Sequence, residues 1–184
     1  DASIEKANAG KDGIATGFAK LIAKGKMVQE KADAILARFR TTCAYEDLAD
    51  CDLVVEAVFE DAAVKAAVFE QAQAVLKPSA ILASNTSALP ITDLAANLQQ
   101  PERFIGLHFF SPVDRMPLVE VVVGQQTSEK TLAQALDFVR LLRKTPIVVK
   151  DSRGFFTSRV ISSYLKEAFQ MVVDGVSPVL IDNV

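Results

Sequence analysis

The hydrophobic pattern along the chain changes period near residue 50. Before it, apolar side chains recur at helical spacing. Ile4, Ala7, Ile14, Phe18, Leu21 and Ile22 share one face of a helix predicted over 2–24, and Ala32, Ile35, Leu36 and Phe39 line a second over 29–39. Gly10, Gly13 and Gly17 each weaken the first helix by about 1 kcal/mol. After residue 50, short apolar runs alternate with helical stretches. Asp52–Val58, Ala80–Ala83, Phe104–Phe110, Leu118–Val123 and Pro146–Val149 are predicted strands. Between them, helices are predicted over Asp61–Leu76, from near Pro90, and over Ser128–Arg143, where Ser128 is the N-cap and Leu132, Leu136, Val139 and Leu142 form the inward face. This alternation predicts an α/β fold with a mostly parallel sheet covered on both faces. A last helix over Gly154–Val173 has no strand after it, and is expected to leave the sheet and open a separate helical unit.

Composition narrows the chemistry. The chain has 184 residues, half of them hydrophobic and 23% charged, which is enough for a packed core. A net charge of −3 and a pI near 5.2 argue against a nucleic-acid surface. Two cysteines and one histidine cannot complete a four-ligand zinc site, so no metal is expected. Cys43 and Cys51 form no disulfide framework, which makes a reducing compartment the default. No apolar run approaches the roughly 18–20 residues that span a bilayer.

Candidate chemistry therefore centres on His108, the only imidazole. In a parallel sheet, ligands bind at the carboxyl ends of the strands, and both Ser87 and His108 are expected near such ends. Glu120 lies one strand later and can hold one imidazole nitrogen protonated, leaving the other as a base. Taken singly, His108 reads equally well as a half-buried structural histidine, while a solvated glutamate and a plain turn serine are the simpler readings of Glu120 and Ser87. No G-x-G-x-x-G turn occurs anywhere in the chain.

Read in order, several blocks carry a resemblance: Asp52–Val58 with Glu60 and Lys65, Ser84-Asn-Thr-Ser87, His108-Phe-Phe-Ser-Pro-Val113 through Met116-Pro-Leu-Val-Glu120, and Asp151-Ser-Arg-Gly-Phe-Phe-Thr-Ser-Arg159. Together they resemble the L-3-hydroxyacyl-CoA dehydrogenase family over essentially the whole chain. The Asp114-Arg-Met-Pro117 wording resembles the multifunctional fatty-acid oxidation enzymes, which fuse an enoyl-CoA hydratase domain to the dehydrogenase. The resemblance implies a Rossmann-like, doubly wound NAD-binding domain over 1–153, lacking its first βα portion and Gly-rich turn. The first helix of an all-α dehydrogenase domain would follow over 154–184.

The implied reaction is oxidation of an L-3-hydroxyacyl-CoA to the 3-oxoacyl-CoA with NAD. His108 would be the base, paired with Glu120, and Ser87 would hydrogen-bond the substrate oxygen or the cofactor. Such a base is worth about 10²–10⁴ in rate. Asp1, Val58, Phe59, Glu60, Lys65, Ser87 and Ser111 match cofactor-contacting positions, and Lys24 and Ser158 match substrate-contacting ones. Two departures stand out: Ser111 and Ser158 occupy positions where many relatives carry the longer Asn. Family analogy further implies an acyl-CoA partner, an oligomer formed through the helical domain, a thiolase subunit as associate, and a bacterial cytoplasmic setting, with mitochondrial or peroxisomal matrix as the other settings. Residues 1–184 alone are expected to turn over little or nothing. Two other classes compete: a dehydrogenase of small 3-hydroxy acids, which would lack the His-Phe-Phe block, and a non-catalytic relative of the same fold.

Overall fold

The computed structural model describes residues 1–183. By compactness the chain divides between Asp50 and Cys51; the 153/154 boundary drawn from the resemblance falls inside the second unit. The first unit holds α1 (Ile4–Ala23) and α2 (Gln29–Leu36), followed by a 3₁₀ turn at Tyr45–Leu48 that the sequence pattern did not predict. The Ser3 hydroxyl caps α1, accepting from the Lys6 backbone N–H at 3.4 Å. A Cβ at Gly10, Gly13 or Gly17 would meet nothing within 4 Å, so these glycines lie on open surface and serve no close packing. Within this unit the N-terminal ammonium of Asp1 donates to the Thr42 carbonyl at 3.0 Å, and the Asp1 carboxylate accepts from the Ala2 N–H at 2.6 Å. Lys24 is the exposed C-cap residue of α1.

The second unit is built on a five-stranded sheet of β1 (Leu53–Glu56), β2 (Ile81–Ser84), β3 (Phe104–Phe109), β4 (Leu118–Val123) and β5 (Thr145–Lys150), in the spatial order β1-β2-β3-β4-β5. All neighbours are parallel except β3 and β4, which run antiparallel. The connection between those two spans residues 110–117, too short for the crossover of a dozen or more residues that a parallel pair needs.

Alternation along the strands sorts the side chains onto two faces. On one, Ile81, Ala83, Ile105, Leu107, Val119 and Val121 pack against Ala135 and Val139 of α5 (Glu129–Leu141). On the other, Phe69 of α3 (Ala62–Val75) meets Phe104 edge-on at 5.1 Å, and Ile91 of α4 (Ile91–Ala95) lies directly over Gly106. A Cβ on Gly106 would approach Val122 Cβ to 2.7 Å and Ile91 to 2.9 Å, so glycine is what lets α4 settle on the sheet. His108 and Glu120 point to this second face, directly opposite each other in the β3–β4 register.

The last predicted helix begins later than its apolar pattern indicates. α6 runs Thr157–Val173, because Gly154 and Phe155 adopt left-handed φ values of 76° and 48° and turn the chain before it. None of its residues is buried; Val160, Ile161, Tyr164, Leu165 and Phe169 are exposed. A short α7 (Pro178–Asp182), also unpredicted, follows.

Candidate functional site

At the carboxyl edge of the parallel strands, Glu56 ends β1 opposite Ser84, the end of β2. Both are buried, and the Ser84 hydroxyl donates to Glu56 Oε2 at 2.7 Å. Glu56 Oε1 accepts from the Val58 N–H at 2.6 Å and from Lys65 Nζ at 2.8 Å. The Lys65 ammonium, 1% exposed, also reaches the Val58 carbonyl at 3.3 Å and Glu60 Oε2 at 3.4 Å. Glu60 in turn holds the loop after β2. Its Oε1 accepts from the Thr86 hydroxyl at 2.6 Å, the Ser87 N–H at 2.9 Å and the Ala88 N–H at 3.0 Å. Partial burial pushes the Glu60 carboxyl up, but these donors and Lys65 outweigh it and hold it below the ordinary range. Asn85 joins the third strand to this edge, its Oδ1 accepting from the Phe109 N–H at 2.8 Å.

The second cluster is the histidine itself. His108 Nδ1 lies 2.7 Å from Glu120 Oε2, the histidine side chain 8% and the glutamate side chain 0% exposed. Glu120 is also gripped from the start of α6: its Oε1 accepts from the Phe156 N–H at 3.1 Å and the Thr157 N–H at 2.8 Å, and its Oε2 from the Thr157 hydroxyl at 2.8 Å. The backbone makes this possible. With Phe155 left-handed and Phe156 right-handed, successive N–H groups converge on one anion, and the helix N-terminus adds its partial positive charge. Burial pushes the Glu120 carboxyl up; hydrogen bonds from His108 and Thr157 more than reverse this, and the group stays ionised below the usual carboxylate range.

An ionised Glu120 acts as acceptor only, so the proton in the 2.7 Å contact resides on His108 Nδ1. Nε2 of a neutral imidazole is then the basic nitrogen. Among the described residues it has no protein partner, and no buried side-chain nitrogen or oxygen is left unpaired, so Nε2 opens onto accessible space. Phe110 and Phe155 flank the ring, with centroids at 4.5 and 6.0 Å. Water is limited on those sides, and the imidazole plane is held.

The other predicted positions divide into two sets. Val58, Phe59 and Ser87 are exposed at the carboxyl edge, Phe59 at 86%, and the Ser87 hydroxyl has no partner among the described residues. Lys65 is different: it is turned into the protein and committed to Glu56, Glu60 and Val58. Ser111 is exposed on the loop after β3, and Ser158 is half-buried in the first turn of α6. Asp1 and Lys24 belong to the first unit. The sequence reading missed Glu56, Thr86, Asn85, Phe155 and Thr157. A polar residue closing a buried strand was the available signal for Glu56. For Thr157, which meets Glu120 across 37 positions, the chain offers no local signal.

Residues 1–152 match the family model described as "3-hydroxyacyl-CoA dehydrogenase, NAD binding domain". The chain belongs to this family. It is 45% identical over 166 residues to the fatty acid oxidation complex subunit alpha of Shewanella amazonensis, a match covering 88% of this chain and 24% of that protein. Among solved structures it resembles the (S)-3-hydroxybutyryl-CoA dehydrogenase of Ralstonia eutropha, with a TM-score of 0.93, 37% identity, and coverage of 96% of this chain and 62% of that one. The 3-hydroxybutyryl-CoA dehydrogenase of Escherichia coli gives a TM-score of 0.93 at 35% identity, over 96% of this chain and 38% of that one. The chain thus spans about a quarter of the length of the curated relative it matches. The Rossmann-like, mostly parallel sheet and NAD as the cofactor are those of the family.

Proposed function

We propose that the protein oxidises L-3-hydroxyacyl-CoA to 3-oxoacyl-CoA with NAD, as the dehydrogenase portion of a multifunctional β-oxidation enzyme that also carries enoyl-CoA hydratase. The observation that carries this reading is the His108–Glu120 contact of 2.7 Å on an anion-binding backbone corner, with Nε2 left open. The residues at the carboxyl edge fit the cofactor. Val58 and Phe59 offer exposed apolar surface for a flat ring, and Ser87 an uncommitted hydroxyl. NAD, when bound, supplies the acceptor for the hydride that leaves C3.

In the oxidation, His108 Nε2 takes the proton of the substrate hydroxyl while the C3–H bond breaks and the C3–O bond becomes a carbonyl. The imidazolium that forms lies against the Glu120 carboxylate, which stabilises it without accepting its proton. In the reverse direction the same nitrogen returns the proton to the carbonyl oxygen. Ser87 and Ser158 are assigned to hydrogen-bonding the substrate and Ser111 to the cofactor side. Glu60 acts through the backbone, holding the Ser87 and Ala88 N–H groups so that the serine hydroxyl is presented outward. Lys65 acts through Glu60 and Glu56, and Asp1 and Lys24 are assigned to the adenosine ribose and the CoA moiety. The same proposal extends to association with a thiolase subunit, oligomerisation through an all-helical domain beginning near residue 154, and a cytoplasmic setting; the relative's name as a subunit of a fatty acid oxidation complex supports a multicomponent setting.

The test is NADH-dependent reduction of a 3-oxoacyl-CoA by the whole protein and its His108→Ala variant. Loss of about 10²–10⁴ in kcat is expected, and unchanged activity overturns the mechanism.

A further inference from the structure

Among the described residues, Glu120 is the side chain that hydrogen-bonds both the imidazole and the start of α6, and its two oxygens are held differently. Oε1 is taken by two backbone N–H groups, Phe156 and Thr157, which any residues but proline at those positions would supply. Oε2 has only side-chain partners: His108 Nδ1 at 2.7 Å and the Thr157 hydroxyl at 2.8 Å. A carboxylate offers about four lone-pair directions, and here four donors fill them in a site that is 0% exposed. No water is needed to complete the set.

We propose that the Thr157 hydroxyl is a positioning group for the His108–Glu120 dyad: by donating to Glu120 Oε2 it fixes the oxygen on which the His108 Nδ1–H rests. The inference takes the dehydrogenase reading as its frame. Without the hydroxyl, the carboxylate keeps its hinge at Oε1 but loses the second anchor at Oε2. The plane of the carboxylate is then free to rock, and the energy gap between the two neutral imidazole tautomers shrinks. In the other tautomer the proton sits on Nε2, and that nitrogen cannot accept the substrate proton. Thr157 is also the first residue of α6, so the hydroxyl that holds the carboxylate oxygen stands where the helix begins. Its backbone N–H contact does not depend on the side chain, which makes the hydroxyl separable by substitution.

The first test needs no substrate. ¹⁵N-histidine labelling of the whole protein reads the ring nitrogens, and the pair of signals that disappears in His108→Ala is that of His108, the one histidine of residues 1–184. The wild-type protein is expected to show a protonated Nδ1 and an unprotonated Nε2 at a pH where the ring is neutral. Thr157→Val, which keeps the volume and the N–H, is expected to show both nitrogens averaging between the two tautomers; Thr157→Ser restores the single tautomer. Thr157→Ala serves the same purpose should valine not fold. A tautomer pattern unchanged in a folded Val or Ala variant overturns the proposal, whatever happens to its unfolding midpoint.

In steady-state reduction of a 3-oxoacyl-CoA, the hydroxyl-free variant is expected to lose about 10-fold in kcat, the scale of one hydrogen bond to a charged group. KM should stay within about twofold, and serine should recover most of the loss. A loss confined to KM, or one that serine does not rescue, overturns the positioning role. Failure of the dehydrogenase reading looks different: His108→Ala would keep its activity while the tautomer shift in Thr157→Val persisted.

Discussion

Lys65 is where the structure makes its largest stability prediction. Its side chain is 1% exposed and that of Glu56 is 0%, with Nζ and Oε1 2.8 Å apart. The ammonium donates to Glu56 and the Val58 carbonyl and lies 3.4 Å from Glu60 Oε2 as an ion pair. In Lys65→Met the stem volume survives and the charge is lost. Glu56 then keeps only two neutral donors, the Val58 N–H and the Ser84 hydroxyl, for a carboxylate out of contact with water. Removing one partner of a buried pair costs about 3–5 kcal/mol, because the other charge is left uncompensated. For a chain of this size that lowers the thermal midpoint by roughly 6–20 °C. Neutralising both partners, Glu56→Gln with Lys65→Met, removes the stranded charge and should recover more than half of the loss. Urea unfolding of the wild type, the two single variants and the double variant measures the coupling. The reasoning fails if Lys65→Met costs under about 1 kcal/mol, or if the double variant equals the sum of the singles.

Three further outcomes follow from other contacts. Glu120→Gln keeps the shape but presents an amide –NH₂ to one side of the site, forcing His108 toward the Nε2–H tautomer. A loss of about 10²–10⁴ in kcat is expected, and a loss below about threefold contradicts the dyad. The Glu60 and Glu120 carboxyls both titrate below their ordinary range in the folded protein. Their stabilisation is complete above the unfolded-state value of about 4.3 and is lost as pH falls through the lower folded-state values. A Glu60→Gln, Glu120→Gln variant should therefore be less stable at neutral pH and lose less on acidification; parallel midpoint-versus-pH curves would contradict this. Gly106→Ala drives a methyl to 2.7 Å from Val122 Cβ and 2.9 Å from Ile91, both in the packed core. A cost of about 1–3 kcal/mol in denaturant unfolding is expected, and a neutral result would mean that α4 lifts freely.

What could be read from the sequence follows from how local each signal is. The five strands announce themselves because apolar runs of four to six residues suit a sheet covered on both faces. Pairing of His108 with Glu120 needed one step more, the direction of β4. The eight residues between β3 and β4 carry that information, since they cannot complete a parallel crossover. The start of α6 was harder. Its apolar pattern extends back to residue 154, and the left-handed turn that displaces the start falls on Phe155 as well as on a glycine. Nothing in a phenylalanine signals positive φ. Burial of Lys65 was invisible for the same kind of reason: its role is decided by Glu56 and Glu60, and a lysine in a helix reads as surface until its partners are placed.

Besides Asp61, which caps its own helix α3 by accepting from the Ala63 and Val64 N–H groups at 2.9 Å, three carboxylates each clamp two successive backbone N–H groups of a segment remote in sequence. Glu60 holds Ser87 and Ala88, Asp151 holds Ile91 and Thr92 at 2.9 and 2.8 Å, and Glu120 holds Phe156 and Thr157. What differs is the oxygen left over. Both oxygens of Asp151 are spent on the start of α4. The second oxygen of Glu60 faces the Lys65 ammonium at 3.4 Å. Among the described residues, only Glu120 clamps a loop with one oxygen and presents the other to an imidazole, a side chain able to take up and return a proton. The loop-holding role alone would be served by any of the three. The combination of a fixed backbone corner, a fully buried carboxylate and an imidazole open at Nε2 occurs once among the described residues, and it is this combination that turns a structural clamp into the support of a base.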